Sequence, residues 1–301
     1  MTQSNKTILV FGGTGLQGGA AALALRENNW PVRALVRDPA SPKARALANH
    51  GVERMAGDLS DKASIDRAMQ GVYGVFSVQP SSGQGEAYGV SDAEEILYGT
   101  TIADLAQKHG VQHLVYSSVL SAGGEPLNLG HFDSKTQIER HIRAIGLPAT
   151  IIRPPSFHEL LLQLGGDFSG TYSFLSDADE PMHAIATRDI GRIVAGIFAA
   201  PQTYIGQSFE IGGDVITGRQ VADILSKALG RPLTYQRIGG DILDATPSLR
   251  RLSQMCDEGY FKPAVDIPAL EARFGPMIRF EDWVRTLGRP MLEAAAGSGR
   301  A

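Results

Sequence analysis

Gly12-Gly13-Thr14-Gly15-Leu16-Gln17-Gly18 carries glycines at positions 12, 15 and 18, behind the apolar run Thr7–Phe11 and ahead of the Ala- and Leu-rich stretch Leu16–Glu27. A strand running into a helix through such a turn leaves backbone N–H groups open to close approach, with the partial positive charge of the helix N-terminus behind them. That combination suits a pyrophosphate and predicts dinucleotide binding. The spacing alone is weak evidence in a chain with 35 glycines among 301 residues, about 12% against a usual value of roughly 7%. Its place between strand and helix carries the reading. The next strand ends Leu35-Val36-Arg37-Asp38-Pro39. The guanidinium fork of Arg37 matches a 2′-phosphate and favours NADP(H) over NAD(H). Asp38 argues for NAD(H) if it faces the ribose, and otherwise serves the turn before Pro39.

These residues need elements to hold them. Apolar runs at Val32–Val36, Val52–Met55, Val72–Val78, Val111–Tyr116 and Ala149–Arg153 alternate with helical stretches at Pro42–Asn49, Lys62–Met69, Ala93–His109 and about Asp133–Ile145. The rhythm predicts βαβ units, and so an α/β fold with a doubly wound parallel sheet and helices on both faces. After Pro154-Pro155 it changes. Gly165–Ser176 reads as irregular or hairpin-like, Arg188–Ala199 and Thr217–Leu229 as helices, and Ser208–Ile211 as a strand. The expected plan is a nucleotide-binding domain over 1–153 and a smaller region over 154–293 completing a cleft at the strand ends. Whether elements of the first domain are interleaved in the second stays open, and 294–301 is expected to be a flexible tail.

Composition narrows the function. With 28 Lys+Arg against 32 Asp+Glu the net charge is −4, which gives no basic surface for direct nucleic-acid binding. One cysteine, Cys256, excludes an intramolecular disulfide and a cysteine-cluster metal site. The histidines show no ligand spacing, so no metal is expected. No run approaches the roughly 18 apolar residues of a membrane span, and no signal peptide is read before the first strand. The expected location is cytoplasmic.

Taken together, the glycine loop, Val36-Arg37-Asp38-Pro39, Gly57-Asp58-Leu59, Val115-Tyr116-Ser117-Ser118, His131-Phe132-Asp133-Ser134-Lys135 and Arg153-Pro154-Pro155 resemble the NmrA-like branch of atypical short-chain dehydrogenase/reductases. The resemblance runs from the first strand to about Trp283 and is strongest over the first 160 residues. It implies a Rossmann domain with a small α/β C-terminal domain and bound NADP(H). Position by position it implies Gly12, Gly13, Thr14, Gly15, Leu16, Gln17 and Gly18 at the phosphates and Arg37 at the 2′-phosphate. Asp58 and Leu59 would lie by the adenine. Val78, Gln79 and Pro80 would line the ribose and nicotinamide, and Lys135 would reach the nicotinamide ribose. Phe157, His158 and Glu159 would close over the nicotinamide end. Two departures stand out: Leu97 where some members carry a cofactor-contacting Lys, and Leu160 where relatives often carry Asn.

Ordinary short-chain dehydrogenases use Tyr-x-x-x-Lys, in which the ammonium lowers the phenol pKa for proton transfer. None of the seven lysines here has a tyrosine four residues before it, and the match to the motif's place is His131-x-x-x-Lys135. His131 could replace the tyrosine as an acid, since an imidazole titrates near neutrality, or it could pack at the helix start while Lys135 alone grips ribose. Ser117 and Ser118 are candidates to hydrogen-bond a substrate carbonyl or to make local turns. The stretch Gln79–Gly85 reads either as a lid or as a plain loop.

Two functions follow. The first is an NADPH-dependent reductase of an electron-poor small molecule such as a quinone, an acceptor that needs little enzymatic acid. The second is a non-catalytic NADPH/NADP⁺ redox sensor that regulates a partner protein.

Overall fold

Residues 6–82, 89–164, 168, 170–262 and 264–298 are described by a computed structural model of the chain. It begins with β1 (Ile8–Val10), α1 (Leu16–Glu27), β2 (Val32–Val36), α2 (Pro42–Asn49), β3 (Glu53–Ala56), α3 (Lys62–Met69), β4 (Gly74–Ser77), α4 (Asp92–Lys108), β5 (His113–Ser117), α5 (Gly130–Ala144) and β6 (Ala149–Arg153). There follow β7 (Ser156–Phe157), α6 (His158–Leu164), β8 (Thr171–Phe174), β9 (Pro181–Ile185), α7 (Thr187–Ala199), α8 (Pro201–Tyr204), β10 (Ser208–Glu210), β11 (Asp214–Thr217), α9 (Gly218–Leu229) and β12 (Thr234–Arg237). Five helices close the chain: α10 (Gly240–Ala245), α11 (Pro247–Asp257), α12 (Ile267–Phe274), α13 (Phe280–Arg285) and α14 (Arg289–Ser298).

The first compact unit comprises Met1–Arg153 and Ile190–Glu210. It holds a seven-stranded sheet in the order β10-β6-β5-β4-β1-β2-β3, every pair parallel. β1 is wholly buried and apolar, as a central strand covered on both faces must be. Its core gathers Leu9, Phe11, Ile65, Val75, Ile102, Leu114 and Tyr116. Strand order reverses between β1 and β4, and loops at the C-terminal strand ends on either side of such a point are where α/β sheets bind ligands.

The second unit comprises Pro154–Asp189 and Ile211–Ala301. It carries a three-stranded sheet, β11-β9-β7, and a parallel pair, β12-β8. A separate core is built around Leu161, Tyr172, Ile216, Leu225, Phe280 and Trp283. The sequence leaves open whether elements of the first domain recur after 153, and Ile190–Glu210 belongs to the first unit. There β10 extends the sheet beside β6, and Gly191 lets α7 press on α1, where a Cβ would stand 2.3 Å from the Ala20 carbonyl oxygen. Within Gly165–Ser176, the described part forms no hairpin: β8 pairs in parallel with β12, Thr171 opposite Thr234. The stretch expected as a tail from 294 is helical through Ser298 in α14, as its three consecutive alanines favour.

Candidate functional site

The loops after β1, β2, β3 and β4 share one edge of the parallel sheet. Gly12 has φ +66°, in the left-handed region, and a Cβ there would lie 2.9 Å from Cγ1 of Val78. The first loop is thus pressed against the end of β4. Gly18 is tighter still: a Cβ would meet the Gly12 carbonyl oxygen at 2.3 Å and the Phe11 oxygen at 2.6 Å, both backbone. At Gly19 the nearest neighbour of a Cβ would be the Gly13 oxygen at 3.2 Å, so Gly18 is the more closely packed of the two.

The N-terminus of α1 is open. Gly15 is its N-cap, no side chain caps it, and no acidic residue stands in its first turn. By contrast Ser41, Asp61 and Ser91 cap α2, α3 and α4 with their side chains. At the end of the first turn's reach, Ser117 Oγ donates to Gln17 Oε1 at 2.6 Å, tying α1 to the end of β5.

At the end of β2 lies an open hollow of about 390 Å³ lined by Thr14, Val36, Arg37, Asp38 and Ser41. Arg37 is exposed and makes no hydrogen bond among the described residues. Asp38 is committed locally, its Oδ1 accepting the Ala40 N–H at 2.7 Å, the turn role its place before Pro39 suggests. Asp58 likewise makes a turn, Oδ1 accepting from the Ser60 N–H and hydroxyl at 2.9 and 2.6 Å. These two bonds, with the nearby Arg37 charge, hold its carboxyl below the ordinary range. Leu59 packs half-buried on the first core. Gln79 is buried, its Nε2 donating to Ser77 Oγ at 2.7 Å, with Pro80 following. Of the loop Gln79–Gly85, residues 83–85 lie outside the described residues.

On α5, Lys135 is mostly buried and its ammonium bonds Glu95 Oε1, while Ser134 Oγ donates to Glu95 Oε2 at 2.7 Å. The His131 ring packs against Phe132 at 4.7 Å between centroids. Burial, and then the Lys135 charge, push His131 down to about 4, so at neutral pH the imidazole is uncharged. An acid role there cannot draw on titration near neutrality. Ser118 is buried beside Glu139. Burial alone would raise the Glu139 carboxyl, but Arg153, Ser118 and Arg143 outweigh it and hold it low.

Phe157, His158 and Glu159 belong to the second unit. Phe157 is half-buried at the end of β7. His158 is fully buried against the edges of Phe280 and Trp283, and neither ring nitrogen has a hydrogen-bond partner among the described residues. Burial pushes it down to about 3. Glu159 turns to Thr187, accepting from its hydroxyl at 2.7 Å and its N–H at 3.3 Å. Adjacent in sequence, His158 and Glu159 serve different neighbours and form no acid–base pair.

The sequence profile of the NmrA-like family matches residues 4–278. The chain belongs to the NmrA-like family. The NmrA-like family domain-containing oxidoreductase malD of Malbranchea aurantiaca is 31% identical over 262 residues, 79% of this chain and 77% of the relative. An NAD(P)H azoreductase of Xenophilus azovorans is 30% identical over 234 residues, 77% of each chain. Among solved structures, NmrA, a negative transcriptional regulator in complex with NADP, superposes with TM-score 0.75 at 22% identity, covering 97% of this chain and 98% of that one.

Within this NmrA-like chain Leu97, at the position where some members carry Lys, is an exposed apolar residue on α4 (58% exposed), so no cation substitutes there. Glu95, two residues earlier and fully buried, is the functional candidate that sequence reasoning missed. Among the described residues no group of His, Cys, Asp or Glu is placed to hold a metal, and no helix is long and apolar enough to cross a membrane.

Proposed function

We propose that this NmrA-like chain binds a pyridine dinucleotide along the ends of β1 to β4, NADP(H) in preference to NAD(H), and reduces an electron-poor small molecule with it. The observation that carries the reading is the cradle itself. Gly12 and Gly18 leave no room for side chains beneath an uncapped helix N-terminus, and beside them opens a hollow lined by an uncommitted arginine. An anionic, phosphate-rich ligand fits those donors. The bound nicotinamide would supply a two-electron reducing equivalent.

The chain's own residues would do the rest. Backbone N–H groups of the loop Gly13–Gly18, apart from that of Gly15, which bonds the Gly12 carbonyl, hold the phosphates, and Arg37 holds a 2′-phosphate, while Asp38 is engaged by the Ala40 N–H. Asp58 and Leu59 flank the adenine; Val78, Gln79 and Pro80 line the ribose and nicotinamide; Lys135 grips the nicotinamide ribose. With no Tyr-x-x-x-Lys and a neutral His131, positioning and water exclusion are the contribution of the protein. A quinone or an azo compound suits such a site, since it accepts electrons without a strong enzymatic acid. The likeness to an NAD(P)H azoreductase supports this reading.

A second reading is a redox sensor without turnover. The absence of a poised acid favours it, because Lys135 is engaged by Glu95 and His131 is uncharged. Loss of NADPH absorbance with a panel of small quinones and azo dyes separates the two. Turnover with one acceptor class supports the reductase; tight NADPH binding with no turnover on any acceptor overturns it. Arg37→Ala should weaken NADPH by about tenfold while leaving NADH nearly unchanged. Equal losses would overturn the assigned cofactor preference.

A further inference from the structure

Glu95 is a carboxylate with no exposed surface, in the first turn of α4. A charge so placed costs several kcal/mol unless paired and hydrogen-bonded. Both oxygens are used, one by the Lys135 ammonium and one by Ser134 Oγ at 2.7 Å. The helices are locked at this level. One turn along α4, a Cβ on Gly99 would lie 2.5 Å from Ile138 Cδ1; one turn back, a Cβ on Gly130 would lie 2.0 Å from Asp92 Oδ2. Two glycines, one on each helix, thus let α4 and α5 close until a glutamate can span to the lysine. The capping box of Ser91 and Glu94 fixes the first turn of α4 just ahead of Glu95.

We propose that Glu95 is the positioning residue for Lys135. It holds the ammonium at one point on the face of α5, so a long and otherwise mobile side chain is ordered before any ligand arrives. A free lysine loses rotamer freedom when it grips a ligand, and here Glu95 removes that cost in advance. Lys135 can donate to Glu95 and still offer its remaining N–H groups to a ribose, since an ammonium has three donors. The inference rests on the proposed role of Lys135 at the nicotinamide ribose.

The test compares two ligands on the full chain: NADPH, and adenosine 2′,5′-bisphosphate, which has the adenine end but no nicotinamide ribose. Glu95→Gln and Lys135→Met should each weaken NADPH by about tenfold and leave adenosine 2′,5′-bisphosphate unchanged. The double variant, which removes the pair as a whole, should bind NADPH no more weakly than Lys135→Met. Glu95→Asp keeps the carboxylate and should recover part of the loss; it also stands in for Glu95→Gln if that variant does not fold. A Glu95 variant that weakens both ligands alike is merely structural, and one that weakens neither has no hold on Lys135; either result overturns the proposal. Lys135→Met binding NADPH like the unaltered chain would overturn the role given to Lys135, and failure of the unaltered chain to bind either ligand would overturn the dinucleotide reading. Both would take this proposal with them.

Discussion

In the first unit the buried carboxylates face cations. Glu95 takes Lys135, and Glu139 takes Arg143 and both arms of Arg153 at 2.7 to 2.9 Å. In the second unit they face backbone and a hydroxyl. Glu159 accepts from the Thr187 hydroxyl at 2.7 Å and N–H at 3.3 Å, Asp189 from the Ile278 N–H at 2.7 Å, and the half-buried Asp214 from the Phe280 N–H at 2.8 Å. Even a histidine there serves backbone, His183 Nε2 accepting from the Ala264 and Val265 N–H groups at 3.1 and 3.0 Å. The difference follows from the sheets. Seven parallel strands satisfy their own backbone, which frees the side chains of the first unit to pair with one another. In the second unit the buried acids instead supply acceptors to N–H groups outside its sheets and to the Thr187 hydroxyl. The electrostatics diverge accordingly. At Glu139 burial raises the carboxyl but the pairing residues outweigh it and leave it low, whereas burial prevails at Glu159 and Asp214 and leaves them raised.

The sharpest test of the first unit is Gly18→Ala. Its Cβ would strike the Gly12 carbonyl oxygen at 2.3 Å and the Phe11 oxygen at 2.6 Å, and backbone cannot swing aside. The expected cost is about 3 kcal/mol of stability, with NADPH binding weakened by about a hundredfold because α1 must shift away from the loop. Gly19→Ala, whose Cβ would lie 3.2 Å from the Gly13 oxygen, is the control and should cost far less in urea unfolding and in NADPH titration. Equal effects at the two positions would mean that the packing is looser than the distances say.

The corresponding test of the second unit is Glu159→Ala, which leaves the buried Thr187 N–H and hydroxyl without their acceptor. The expected loss is about 2 kcal/mol. It should appear in unfolding followed by the fluorescence of Trp283, which sits in that unit's core, with Trp30 replaced by Phe. A variant of unchanged stability but much weaker NADPH binding would break the comparison, because Glu159 would then act on the ligand rather than on Thr187.

Much of the first unit was legible in the sequence, and the reasons are local. Pro42–Asn49 follows a Ser N-cap with Pro at its first position, and Leu16–Glu27 opens on the glycine turn, so pattern and cap agree on the bounds. The nucleotide cradle was legible for the same cause: all its glycines lie within seven residues, Gly12 to Gly18. What was hidden is non-local. The pairing of Tyr172 with Tyr235 in β8 and β12, and the return of α7 and β10 to the first sheet, depend on segments far apart in the chain. Glu95 reads in sequence as an ordinary solvated acid of a helix's first turn; its signal was Gly99 one turn on, the mark of a helix pressed closely by a neighbour. His158 is a polar residue followed by leucines at 160, 161 and 162, and it faces an apolar core.

That core makes His158 the site of a pH effect that belongs to the second unit. The folded-state pKa is about 3, against 6.5 for a free imidazole, so the unfolded chain binds a proton here that the folded chain refuses. Stability from this group is therefore complete above 6.5 and falls as pH drops from 6.5 toward 3, by about 2 kcal/mol at pH 5. His113 and His131, both pushed down to about 4, act with the same sign in the first unit. His158→Met keeps a long apolar side chain between Phe280 and Trp283 and removes the titration. Urea unfolding followed by Trp283 should then lose that acid slope, while the slope followed by Trp30 in a Trp283→Phe chain, governed by His113 and His131, should persist. If both slopes persist in the His158→Met chain, the ring is solvated, and the dry aromatic cage around it does not survive in solution.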